Sequence, residues 1–240
     1  MEMVQNFDVS KARMPADILD KSDGVAEAAY DQGLMRLDLN PTLEMALRKS
    51  HISVLTDHLI LTSAAFVNSG IIDAVGITCV ISAAPELPLV PLSEEVTLFH
   101  RVNVLDSSDS NISQYFDEVA DVIEQVAASG GRTLIHCLAG ISRSATFCIA
   151  YLMKHRRISL LEAYNYVKAR RPRIKPNCGF FKQLIKYEKS MFIKSTVQMV
   201  FNEFVQMSIP DVYDSQYRVV RRPKGKFRNN SRNNCRLKNI

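Results

Sequence analysis

The stretch TLIHCLAGISRSATFCIAYLM, residues 133–153, constrains the fold more than any other part of this chain. It opens with a short apolar run at 133–136, passes through small residues at 138–142 and continues into a long apolar segment from Arg143. The short run reads as a buried strand and the longer one as a helix. Cys137 stands where strand becomes loop, and Arg143 where loop becomes helix. The free N–H groups of such a loop and of the first helical turn point inward and make an anion site. Gly140 lets the backbone curl into that nest without a Cβ clash. The same field favours a thiolate, since a Cys at a helix N-terminus beside Arg can have its pKa lowered to roughly 3.5–7.5. A nucleophile, an anion cradle and a guanidinium fork therefore fall within one short segment.

The flanking sequence supplies the other elements of an α/β fold. Residues 58–61 and 77–82 read as short buried strands, with a helix at 64–75 between them that Gly70 weakens. A Pro-rich connection at 84–92 precedes a further strand at 97–104, and Asp106, Ser107, Ser108, Asp109, Ser110 and Asn111 form a polar loop. Residues 113–128 place Phe116, Val119, Ile123 and Val126 at helical spacing, and Gly130-Gly131 ends that helix. A strand, a loop, a helix and a strand in this order put the strands at 97–104 and 133–136 parallel. The Asp106 and Cys137 loops then leave the sheet on the same edge, where ligands bind in open α/β sheets. Three helices follow, at 145–155, 159–170 and 178–192. Ser159 caps the second, Leu160, Leu161, Tyr164 and Val167 face inward, and Arg171-Pro172 stops it. Phe180, Phe181, Leu184, Ile185 and Tyr187 offer the third to the core.

On these residues the chain resembles a known family. His136-Cys137-x5-Arg143-Ser144 is similar to the signature loop of the Cys-dependent protein phosphatases. The run from Cys137 through Ala150-Tyr151-Leu152-Met153 resembles the dual-specificity branch, and in particular its small atypical members. The likeness spans residues 58–217. It implies a central, mostly parallel twisted sheet flanked by helices, of the protein-tyrosine-phosphatase-like, dual-specificity type. The domains expected are an N-terminal extension at 1–50, a catalytic domain at 51–195, an extension at 196–217 that packs on it, and a basic tail at 218–240.

The resemblance also assigns roles. Cys137 would attack phosphorus and form a phosphocysteine. Arg143 would grip two phosphoryl oxygens with its planar fork. The backbone N–H groups of Leu138, Ala139, Gly140, Ile141, Ser142 and Arg143 would bind the transferring group, which leaves the side chains of Leu138, Ala139, Ile141 and Ser142 less constrained than their amides. Asp106 and Asp109 both suit a general acid; the family places the acid nine residues before a Tyr-Phe pair, here Tyr115-Phe116, which selects Asp106. His136 would orient the loop and help keep Cys137 ionised, against the plainer reading of a neutral structural His. Ser144 matches the hydroxyl that assists release of the sulfur, although a helix N-cap would look the same. Asn177, in Arg-Pro-x-Ile-x-Pro-Asn-x-Gly-Phe, would brace the loop.

Composition narrows the partners. The chain has no Trp and so lacks the Trp-Pro-Asp loop of tyrosine-only phosphatases, which favours a shallower pocket for phospho-Ser and phospho-Thr beside phospho-Tyr. The loop has no Lys for the extra phosphates of a lipid and no extra base for an RNA 5′-phosphate. The expected partner is a phosphorylated protein, with mitogen-activated kinases and the kinases above them as candidates. A phosphopeptide-binding adaptor with little turnover is the rival from another class. Lys168, Arg170, Arg171, Arg173 and Lys175 could meet an acidic or doubly phosphorylated substrate, or form a solvated helix end. Arg48-Lys49 before Ile52-x-Val54 could dock a kinase, although a helix at 42–49 packing on the domain edge is the simpler reading.

The five Cys and five His show no metal-ligand spacing, so neither metal nor cofactor is expected, and the irregular cysteines suit a reducing compartment, cytoplasmic and/or nuclear. No signal-peptide core stands at the start, and no apolar run reaches about 18 residues without a charge, so membrane insertion is not expected. The net charge of +5 sits in a tail with no acidic residue after Asp214; contact with nucleic acid is expected only there.

Overall fold

The computed structural model describes residues 51–88 and 91–214. Five short strands form one sheet: β1 (Ser53–Thr56), β2 (Leu59–Ser63), β3 (Cys79–Ser82), β4 (Leu98–Arg101) and β5 (Thr133–Cys137). Their order is β1-β2-β5-β3-β4. The neighbours from β2 to β4 are parallel, and β1 runs antiparallel along β2 at one edge. The expected α/β fold with a mostly parallel sheet is the fold observed, and the strands before Asp106 and Cys137 do point the same way.

Every residue of β5 is buried, as a central parallel strand covered on both faces requires. Ile60, Val80 and Leu134 turn one sheet face toward Ile72 and Val75 of α1 (Ser69–Val75). The alternate residues Leu59, Leu61, Ile81 and Ile135 are buried as well, beneath the helices of the opposite face. Those helices are α2 (Phe116–Ala128), α3 (Arg143–His155), α4 (Leu160–Arg170) and α5 (Cys178–Met191). In α3 all residues from Arg143 to Met153 are buried, because α2, α4 and α5 pack around it. A helix apolar on all sides belongs in the core.

Some expectations need correction. The helix at 64–75 is a 3-10 turn, Ala64–Phe66, followed by α1. The Asn68 side chain accepts the Ile71 N–H at 3.0 Å and so starts the helix later, and Gly76, at φ 67°, ends it. The strand at 97–104 is reduced to β4. In α4, Leu161 is only partly buried, and Ala163 and Tyr166 take the inward places. Ile52 is 2% exposed and packs in the core below α1, so Ile52-x-Val54 is not free to serve as a docking peptide. The helix at 42–49, the extension at 1–50 and the tail at 218–240 lie outside the described residues.

A second, two-stranded sheet follows α5: β6 (Met199–Asn202) pairs antiparallel with β7 (Met207–Pro210). Just beyond it Tyr213 is buried beside Tyr164 and Phe181, with ring centroids 6.0 and 5.2 Å away. Its hydroxyl donates to the Pro176 carbonyl at 2.9 Å. Tyr213 thereby supports the turn that carries Asn177.

Candidate active site

The loop from β5 to α3 sits at the carboxyl edge of the sheet. Gly140, at φ 65°, makes the turn, and a Cβ there would strike the Thr62 carbonyl. Cys137 is 1% exposed, yet it is not sealed in hydrocarbon. It lies on a cavity of about 530 Å³ that also holds Asp106, Arg143 and the loop residues 138, 139, 141 and 142. The Cys137 Sγ accepts the Gly140 N–H and the Ser144 hydroxyl, each at 3.2 Å. Ser142 is the N-cap of α3, but its side chain makes no capping bond. The first-turn N–H groups of α3 are left for a guest, as an anion site needs.

Arg143 is buried and held in a fixed plane. Its Nη1 donates to Glu86 Oε2 at 2.8 Å and its Nη2 to Glu86 Oε1 at 2.6 Å. Nη1 also reaches the Val104 carbonyl at 3.3 Å. Nε faces Asp106 Oδ2 at 3.8 Å and has no hydrogen-bond partner among the described residues. Burial works against the Arg143 charge, but Glu86, Cys137 and Asp106 outweigh it and raise the pKa. The bond to Arg143 holds the Glu86 carboxyl below its ordinary value. Glu86 stands in a Pro-rich connection, where no local pattern marks it. Its one signal was its place after β3, at the edge where the other site loops emerge.

Asp106 is fixed by two donors to one oxygen. The Ser142 hydroxyl donates to Oδ1 at 2.8 Å, and Asn177 Nδ2 donates to the same atom at 2.9 Å. The Asn177 N–H in turn donates to Ser142 Oγ at 3.2 Å. Asn177 Oδ1 also caps α5 by accepting the Phe180 N–H at 2.9 Å. The Ser142 side chain is therefore tied down, although the sequence reading has it less constrained than its amide. Asn177 braces the acid as well as the turn. Asp109 is exposed and does not line the cavity.

His136 stands apart from the sulfur. Successive strand residues face opposite ways, so its ring lies on the far side of the sheet from Cys137, in a small cavity with Val80, Phe99 and Arg101. Its Nδ1 has no hydrogen-bond partner among the described residues. Burial, reinforced by Arg143, lowers its pKa against the pull of the Cys137 backbone. A ring that resists protonation does not supply a positive charge to the thiol. Ser144 stands in the first turn of α3 and not at its N-cap, and its hydroxyl bonds the sulfur.

A parallel sheet whose edge brings a thiol, an anion nest, a buried guanidinium and a carboxyl into one cavity defines the class of cysteine-dependent phosphatases. A model of the dual specificity phosphatase catalytic domain matches residues 59–190. Dual specificity protein phosphatase 14 of Homo sapiens is 47% identical over 167 residues, which cover 66% of this chain and 81% of that protein. Dual specificity protein phosphatase 18 of Homo sapiens is 41% identical over 172 residues, covering 71% and 89%. The crystal structure of human DUSP28 superposes with a TM-score of 0.56 at 31% identity, over 59% of this chain and 95% of that one. The chain belongs to the dual specificity phosphatase family, and it is a dual-specificity protein phosphatase.

Proposed function

We propose that the enzyme hydrolyses phosphate monoesters on phosphotyrosine and on phosphoserine or phosphothreonine of proteins through a phosphocysteine. The observation that carries this reading is the Cys137 sulfur itself. It lies on the cavity, under the Gly140 N–H and the Ser144 hydroxyl, with Asp106 and Arg143 on the same cavity. In the first step the thiolate attacks phosphorus and the S–P bond forms as the P–O bond to the side chain breaks. Asp106 gives its proton to the departing oxygen. In the second step Asp106 takes a proton from water, the hydroxide oxygen attacks phosphorus and the S–P bond breaks. The Ser144 hydroxyl supports the departing sulfur, and inorganic phosphate leaves. The inward N–H groups of the loop and the Nε edge of Arg143 hold the equatorial oxygens throughout.

The substrates proposed include kinases of mitogen-activated signalling, reached in a cytoplasmic or nuclear, reducing compartment. The leading test is turnover of a small aryl phosphate in the presence of a chelator. Cys137→Ser should abolish it, and activity surviving that change would refute the mechanism. An Asp106→Ala chain used to trap substrate should retain phosphorylated kinases; a trap without them removes that part of the proposal. Imaging the chain with and without residues 218–240 tests the compartment.

A further inference from the structure

The carbonyls of the phosphate loop are all turned outward and bound from behind. Leu138 O accepts the Ala64 N–H at 3.3 Å, Ile141 O the Lys175 N–H at 2.9 Å and Ser142 O the Thr146 N–H at 2.9 Å. The two carbonyls between them take their hydrogen bonds from one side chain, Arg171. Its Nε donates to Gly140 O at 2.6 Å and its Nη2 to Ala139 O at 3.2 Å. Its Nη1 donates to His51 O at 2.6 Å, at the start of the edge strand.

A trans peptide is planar, so its C=O and the N–H of the next residue point in opposite directions. Pinning the Ala139 carbonyl outward sends the Gly140 N–H inward, and that is the group bonded to Cys137 Sγ. Pinning the Gly140 carbonyl does the same for the Ile141 N–H. Arg171 is 6% exposed, and among the described residues it forms no ion pair. A buried cation without a carboxylate is costly. A thiolate at Cys137 or a phosphate seated in the loop would supply the answering negative charge. Burial lowers the Arg171 pKa and Cys137 opposes that shift, so the two groups interact through the loop. Only a planar fork reaches all three carbonyls; an ammonium is a point charge that cannot span them.

We propose that Arg171 is a positioning residue for phosphoryl transfer, holding the Ala139 and Gly140 carbonyls outward so that the Gly140 and Ile141 N–H groups aim at the sulfur and the transferring phosphoryl group. The proposal rests on the phosphocysteine reading above. It concerns the transition state more than the bound substrate, because the pinned N–H groups meet charge as it shifts between sulfur and oxygen.

The test uses the full chain with p-nitrophenyl phosphate as substrate and orthovanadate as inhibitor, on wild type, Cys137→Ser, Arg171→Lys and Arg171→Ala. Wild-type turnover that Cys137→Ser abolishes secures the underlying reading; its absence defeats that reading, separately from Arg171. With that established, Arg171→Lys should lower kcat by roughly 10²-fold while KM changes far less. The vanadate inhibition constant should rise in step with the loss of kcat/KM, and added guanidinium should restore part of the Arg171→Ala activity. Circular dichroism melting is followed in parallel. Variants that keep wild-type kcat overturn the proposal. So does a loss of activity that follows unfolding alone, in either variant or both, because Arg171 would then be a brace for the fold.

Discussion

The Glu86 carboxylate grips both Nη atoms of Arg143, at 2.6 and 2.8 Å, and leaves the Nε edge of the guanidinium facing Asp106. An arginine carries five N–H donors, so a carboxylate on one edge does not exhaust it. Glu86 thus sets the plane in which the remaining edge meets a phosphate. It is partly exposed, and solvent limits what such a pair contributes to at most ~1 kcal/mol. Glu86→Gln should lower kcat/KM for an aryl phosphate by roughly three- to fivefold. An increase in kcat/KM would show instead that Glu86 competes with the substrate for Arg143.

The two candidate acids separate cleanly. Asp106 lines the cavity and is held there by Ser142 and Asn177, whereas Asp109 lies outside it. Asp106→Asn should reduce kcat by roughly 10²–10⁴-fold with little effect on KM. Asp109→Asn should leave both constants near wild type, and the reverse pattern would reassign the acid.

Ser142 and Asn177 share one task and differ in another. Both donate to Asp106 Oδ1, but only Asn177 caps a helix. Ser142→Ala and Asn177→Ala should each lower kcat, with the loss greatest for substrates with poor leaving groups. Asn177→Ala should also cost about 1 kcal/mol of stability. Equal melting temperatures for the two variants would contradict the capping role.

Acid should destabilise the fold through His136, which is buried, and His58, which is half-buried. Burial lowers the His136 pKa from its ordinary 6.5, and burial and Arg156 lower that of His58. Below 6.5 the unfolded chain therefore binds more protons than the folded one, and stability falls as pH falls. Above 6.5 this contribution is fully present. Melting temperatures should drop between pH 7.5 and about pH 5.5, and His136→Gln should reduce the slope. Parallel slopes for variant and wild type would place the proton uptake elsewhere.

Much of this enzyme is written along the chain. The strand, small-residue loop and apolar helix from 133 to 153 determine one another by local rules, and the Cys137-to-Arg143 spacing follows from the turn between them. The parallel crossover that brings Asp106 to Cys137 follows from element order alone, because such connections have few solutions. The sequence marked Asn177 as a brace, but it did not disclose β1, the hairpin of β6 and β7, or the two supports Glu86 and Arg171. Four-residue strands at an edge carry too little periodicity to read, and the face His136 occupies depends on strand register. Glu86 and Arg171 lie 57 and 31 residues from their partners Arg143 and Gly140. What one buried guanidinium grips is decided by where two distant loops meet. Only the tertiary structure fixes that meeting, because no local pattern encodes the direction in which a long side chain turns.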